Sequence, residues 1–253
     1  MSAEKKVAIV TGSSSGIGAA TALELSRRGW RVVINYSKSA EQAAKVAAGC
    51  AEAISVQADV SLDADCRRLA KAALDKWGRL DALVNNAGST KFVPHAKLDD
   101  LSAEDFQRIY ATNVVSTFQM SRACAAALKA SGRGAIVNVS SIAAMWGTGS
   151  SIAYAASKGA LNSLTYSFAR VLGPEVRVNA VMPGFVDTPW QTTGHGAEKA
   201  AALSQQVAAS NPLKATCSAE DVADAILWLI EGAPKTTGET ILVDGGTHIG
   251  AMR

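Results

Sequence analysis

The chain has 253 residues, 48% of them hydrophobic, and a formal net charge of +3. That supplies apolar material for a substantial core, and a charge too small, with no basic run longer than two residues, to suggest a nucleic-acid binder. Four cysteines without CxxC spacing and dispersed histidines make no zinc pattern, and the lack of a signal-like apolar stretch or a membrane-length span leads us to expect a cytoplasmic protein outside the membrane.

The run 6–12, "KVAIVTG", is a short apolar strand closed by glycine. Residues 16–29 read as a helix with Ala20, Leu23, Ala19 and Leu25 toward the inside, and 31–36 as a second strand. A helix over 39–50 opens with Ser39 as expected N-cap, and a strand follows at 53–59. The helix 61–78 is expected to start on Ser61 and end on Gly78. Then come a strand at 80–88, a long helical tract over 102–130, a strand at 134–141 and a helix over 151–172 stopped by Gly173-Pro174. Strands at 176–184 and 239–244 flank a last helix at 218–231. This βα alternation with Val/Ile/Leu-rich strands implies a doubly wound α/β protein, its parallel sheet covered on both faces. Without a linker or repeat, residues 1–253 read as one domain.

"TGSSSGIG" (11–18) sits between the first strand and the first helix. Gly12 can turn the chain, Gly16 can admit a ligand to the backbone, and Gly18 can let the helix approach the sheet. The helix N-terminus then offers free N–H groups to a pyrophosphate. The spacing is neither G-x-G-x-x-G nor a P-loop. At the end of the second strand an acid would bind a ribose 2′-OH, yet Tyr36 stands there, followed by Ser37 and Lys38. The missing acid, with a hydroxyl and a cation suited to a 2′-phosphate, favours NADP(H) over NAD(H).

With "DV" (59–60), "NNAG" (85–88), Asn113, Ser141, "YAASK" (154–158), "PG" (183–184) and Thr188 in that order, the chain resembles the short-chain dehydrogenase/reductase family. "NYSKSAEQAAKVA" is especially similar to its NADPH-using β-ketoacyl carrier-protein reductase branch. The resemblance implies a Rossmann fold, a seven-stranded parallel sheet in order 3-2-1-4-5-6-7. It implies cofactor contacts from the turn (Gly12, Ser14, Ser15, Gly16, Ile17, Gly18) and from Tyr36, Ser37 and Lys38. Asp59 and Val60 would meet the adenine, Asn86, Ala87 and Gly88 the ribose, and Pro183, Gly184, Val186 and Thr188 the nicotinamide end. It further implies a homotetramer or homodimer packed through the helices at 102–130 and 151–172, and a mobile substrate-covering lid over 188–212, which carries Gly194 and Gly196.

Reduction of a carbonyl needs a hydride donor, a proton donor and a group to stabilise charge on oxygen. Tyr154 and Lys158 are one helical turn apart, so the ammonium is expected to lower the phenol pKa and make Tyr154 a general acid/base near neutrality. Both would also touch the cofactor. Ser141 fits the family spacing to Tyr154 and would bond the substrate oxygen, leaving Ser140 structural. Asn113, by itself an ordinary buried polar residue, would in this company bulge its helix and hold a water bonded to Lys158. His95, His195 and His248 have no partner motif, although His95 or His195 could reach substrate. Met145, Trp146 and Trp190 follow site motifs closely and are expected in the substrate pocket. The reading is an NADP(H)-dependent carbonyl reductase or alcohol dehydrogenase on a small molecule, with no metal. An NAD-linked sugar or steroid dehydrogenase and a catalytically silent dinucleotide-binding redox sensor stand as alternatives.

Overall fold

Strand side chains alternate by two, so a strand buried on both faces feeds two cores. In the computed structural model, which describes residues 4–250, β1 (Val7–Val10) does this: Ala8 and Val10 enter one apolar cluster, Val7 and Ile9 the other. In β2 (Arg31–Tyr36), Val32 and Ile34 face the first cluster and Val33 the second. With β3 (Ala53–Gln57), β4 (Ala82–Asn85), β5 (Gly134–Val139), β6 (Val176–Pro183) and β7 (Thr240–Val243) they form one parallel seven-stranded sheet in the order β3-β2-β1-β4-β5-β6-β7. The register sets Ala8 beside Val32 on one side and Ala82 on the other.

The helices are α1 (Gly16–Arg27), α2 (Ala40–Ala48), α3 (Asp63–Trp77), α4 (Ala103–Tyr110), α5 (Ser116–Ala130), α6 (Ala143–Trp146), α7 (Ile152–Leu172), α8 (Pro189–His195), α9 (Ala197–Ser210) and α10 (Ala219–Leu227). α1, α2 and α10 cover one face through Ala22, Leu25, Ala43, Val222 and Ile226. α3, α5 and α7 cover the other through Leu69, Met120, Leu128 and Phe168. None is long and apolar enough to cross a membrane, among the described residues.

Several local expectations change. α1 buries Ala20 and Leu25 as expected, together with Gly18, Thr21, Ala22 and Ser26, whereas Ala19 and Leu23 are only half-buried. Ser39 precedes α2 without a side-chain cap bond. Ser61 does not cap α3; its N–H and hydroxyl both donate to Asp59 Oδ1, and Leu62 takes the cap position. Residues 188–212, expected as a lid, are largely two helices, α8 and α9. The tract 102–130 is α4 and α5 joined by a π turn over Ala111–Val115. All four cysteines are free; burial pushes the Cys66 thiol up to about 12 and raises that of Cys124 as well.

A buried polar chain crosses the sheet toward α7. Asn85 donates to Asn138 Oδ1 at 2.9 Å, its cross-strand partner, and Asn138 donates to Thr165 Oγ1 at 2.9 Å. Such groups are stable only as a satisfied set. Asn138→Ala leaves the Asn85 amide and Thr165 short of partners, so it is expected to cost about 3 kcal/mol in denaturant unfolding; a loss within experimental error would show that the chain carries no weight.

Candidate active site

The glycine-rich turn is shaped by residues flanking its glycines. Ser13 Oγ donates to Val10 O at 2.7 Å and accepts the Asn35 N–H at 2.9 Å. Asn35 Oδ1 accepts the Gly12 N–H at 3.1 Å, and its amide donates to Ala58 O at 3.1 Å. One buried asparagine thus ties the ends of β1, β2 and β3. From the other side, Thr11 Oγ1 accepts the N–H groups of Asn86 and Ala87, and the Asn86 amide donates to the carbonyls of Thr11 and Gly12. Gly12 has φ +60°, which favours glycine. At Gly18 a Cβ would lie 2.5 Å from Asn86 Nδ2 and 2.6 Å from the Gly12 oxygen, so closeness fixes that glycine.

This turn forms one end of a cavity of about 860 Å³, along with Asp59 and Val60 after β3 and Ser37 and Lys38 after β2. Its residues fit a dinucleotide. Ser15 makes no side-chain cap bond and the first turn of α1 holds no acid, so the free N–H groups of that turn suit an anion. β2 ends in Asn35 and Tyr36, and Lys38 makes no ion pair among the described residues. Asp59 Oδ1 is occupied by Ser61.

The other end of the cavity lies at the C-terminal ends of β5 and β6. Ser151 caps α7 by accepting the Tyr154 N–H, which starts the helix so that Tyr154 and Lys158 face the cavity together. Lys158 is 4% exposed and donates to Val139 O at 2.7 Å, at the last residue of β5. Its Nζ is 5.5 Å from the centre of the Tyr154 ring. Burial pushes this ammonium down to about 8. Burial also pushes the Tyr154 phenol up to about 12, with a hydrogen bond to Ser141 working in the opposite direction. The expected lowering of the phenol by Lys158 is not seen here: burial is the dominant effect, and the ammonium gives one of its three N–H groups to the Val139 carbonyl. Ser141 Oγ accepts the Ala143 N–H at 3.1 Å, which leaves its proton free to donate. Ser140 is structural, bonding the Lys158 carbonyl.

Asn113 lies in the π turn, the bulge expected at that position, and is 1% exposed. Its Oδ1 accepts the Ser89 N–H at 2.7 Å, and its amide donates to Ser89 O and Ser157 Oγ. Ser157 in turn donates to the Tyr154 carbonyl at 2.7 Å. Asn113 therefore braces the backbone behind the cavity, and it is not among the residues lining it.

The cavity brings together Gly12, Ser14, Ser15, Gly16, Ile17, Tyr36, Ser37, Lys38, Asp59, Val60, Asn86, Ala87, Gly88, Ser141, Tyr154, Lys158, Pro183, Gly184, Val186, Thr188 and Trp190, all expected at the site. Met145 and Trp146 do not join them. They are 53% and 40% exposed, because the short α6 turns Ala143 inward and carries the next residues to the surface. From the lid segment, α8 supplies Pro189, Trp190, Gln191 and Thr193, while α9 supplies nothing. His195 packs edge-on to Phe92 at 4.7 Å, and His248 bonds Asp244 at 2.9 Å. The sequence reading missed Thr11, Ser13 and Asn35, which shape the turn, and Phe92, which lines the cavity. Asn35, a polar residue closing an apolar strand, was the one available signal.

A family profile described as Enoyl-(Acyl carrier protein) reductase matches residues 12–248. A granaticin polyketide synthase putative ketoacyl reductase 2 from Streptomyces violaceoruber is 46% identical over 97% of both chains. A 3-oxoacyl-[acyl-carrier-protein] reductase from Synechocystis is 37% identical over 95% of this chain and 96% of its own. A crystal structure of a putative short-chain dehydrogenase/reductase from Burkholderia xenovorans superposes with a TM-score of 0.90 at 40% identity, covering 98% of this chain and all of that one. With the sheet order and the cavity's placement, these similarities show that the chain belongs to the short-chain dehydrogenase/reductase family and is an oxidoreductase similar to ketoacyl reductases.

Proposed function

We propose that the protein is an NADP(H)-dependent reductase that interconverts a small-molecule carbonyl and a secondary alcohol, with Tyr154 as the general acid/base. The observation that carries this reading is that Ser141 and Tyr154, with Lys158 buried beside them, share one cavity with the glycine turn. The turn and the start of α1 would hold the pyrophosphate, Ser37 and Lys38 a 2′-phosphate, and Thr188 with Pro183 and Gly184 the nicotinamide end. A bound nicotinamide dinucleotide would supply the hydride in reduction and accept it in oxidation.

The chain's own residues handle the oxygen and the proton. The substrate oxygen sits between Ser141 Oγ and Tyr154 Oη. Ser141 donates a hydrogen bond that stabilises charge developing on that oxygen. Tyr154, whose phenol stays protonated through neutral pH, delivers its proton to the same atom. Lys158 then stabilises the resulting phenolate until it is reprotonated. Both Asn113 Oδ1 and Lys158 Nζ come within 4 Å of where a Gly88 Cβ would point, at 3.5 and 3.9 Å. A glycine there leaves room for the relay water between Asn113 and Lys158. The chain works as one domain with α8 as its cover, in the cytoplasm, where four unpaired cysteines stay reduced. It assembles as a homo-oligomer through α5 and α7, whose Phe118 and Tyr166 are 42% and 40% exposed.

Tyr154→Phe is expected to lower carbonyl reduction about a thousandfold while leaving dinucleotide affinity within threefold of wild type. Wild-type protein that binds the dinucleotide but turns over no carbonyl or alcohol across a broad panel would favour the redox-sensor alternative. Lys38→Ala is expected to weaken NADPH binding about tenfold and leave NADH binding unchanged, read by fluorescence titration. A wild type that binds NADH more tightly would overturn the NADP(H) assignment in favour of an NAD-linked dehydrogenase.

A further inference from the structure

Three aromatic side chains crowd the Tyr154 end of the cavity. The Trp190 ring lies 6.0 Å from the Tyr154 ring at 49°, and Phe92 lies 6.3 Å from Trp190 at 59°. Both Trp190 and Phe92 line the cavity. Phe92 is fixed from two sides. Its loop is tied down by Val93 N–H to Ser150 O at 2.8 Å and by the Thr90–Ser150 hydroxyl pair at 2.6 Å. Its ring lies over Gly194 of α8, where a Cβ would fall 2.1 Å from Phe92 Cζ, so any side chain there would push the ring from its present place. His195 meets the same ring edge-on.

A carbonyl whose oxygen sits between Ser141 and Tyr154 would have Trp190 as a neighbouring wall, because that ring lies 6.0 Å from the phenol ring and lines the same cavity. Tilted aromatic walls 4.5–7 Å from a partner ring match another flat ring through edge-to-face and offset contacts. A flexible alkyl chain of equal size gains none of that geometry and loses more rotational freedom on binding. Arg108 also lines the cavity, but it is half exposed and paired with Asp105 at 3.3 Å, so an acidic group is not what this wall selects. We propose, resting on the carbonyl-reductase reading above, that Phe92 and Trp190 make the site select carbonyl compounds bearing a flat apolar ring beside the reacting carbon, with Gly194 as the seat that positions Phe92.

The test compares 1-phenylpropan-2-one with nonan-2-one, unconjugated methyl ketones of equal carbon count, by cofactor oxidation and by calorimetric binding to cofactor-loaded protein. Wild type is expected to prefer the phenyl ketone about tenfold or more in kcat/KM. Trp190→Ala and Phe92→Leu are each expected to shrink that preference roughly three- to tenfold, mainly through KM. Gly194→Ala, which keeps both rings but removes the seat, is expected to do the same, with unfolding curves confirming that each variant is folded. Equal or reversed preference in the wild type overturns the inference and leaves the carbonyl-reductase reading standing. So does a preference that survives all three substitutions. If neither ketone is reduced, the broad carbonyl and alcohol panel tests the carbonyl-reductase reading separately, and calorimetry decides the wall: tighter binding of the phenyl ketone supports it, and equal affinity overturns it.

Discussion

A lysine ammonium buried at the end of β5 is the constraint around which the rest of the site is arranged. Lys158 is 4% exposed and, among the described residues, has one hydrogen-bond partner, the Val139 carbonyl. A charge held that way is costly unless it is paired, and no carboxylate pairs with it among the described residues. Burial pulls its pKa down and that of Tyr154 up, so both charged forms are disfavoured in this pocket. The small residues around them follow from this. Ala155 and Ser157 on α7 are buried at close quarters, and Gly88 keeps the space between Asn113 and Lys158 open.

Topology delivers the other components to the same place. In a parallel sheet the loops after the strands all emerge at one edge, and in doubly wound folds ligands bind at that edge. The turns after β1, β2, β3 and β4 supply the half of the cavity rich in glycine and small polar residues, and those after β5 and β6 supply the half that holds Ser141, Tyr154 and Lys158. Asn35 and Asn86 hold the first half together through bonds to backbone atoms of the glycine turn, so the shape of that turn is set by side-chain amides as much as by glycines. The Asn113 brace joins the two halves, since it bonds Ser89 after β4 and Ser157 in α7 at once.

Much of this was legible in the sequence because it is local. Short apolar runs rich in Val, Ile and Leu marked all seven strands, and the four-residue spacing of Tyr154 and Lys158 put them on one helical face. The π turn at Asn113 followed from the motif set. What was not legible depends on contacts between distant segments or on where a short turn points. Phe92 owes its place to Gly194, about a hundred residues away, and no neighbour in sequence announces the pairing. Met145 and Trp146 follow Ser141 closely, yet α6 closes at Gly147 in a left-handed conformation and leaves both outside the cavity. Residues 188–212 fold largely into two helices, of which only the first lines the cavity. The direction of the Tyr154 shift was also out of reach, because it depends on how deeply the pair is buried.

If the ammonium is kept for chemistry and not for the fold, removing it should not harm the fold. A lysine whose folded pKa of about 8 lies below its unfolded value of 10.5 costs stability at all pH values below 8, and the cost fades as pH rises toward 10.5. The most direct measurement is denaturant unfolding of the cofactor-free Lys158→Met variant beside wild type at neutral and alkaline pH, with turnover assayed in parallel. The expected result is a variant more stable than wild type by up to about 3 kcal/mol at pH 7, a gap that closes at alkaline pH, and a loss of turnover. A variant clearly less stable than wild type at pH 7, or one that keeps full turnover, would contradict the account.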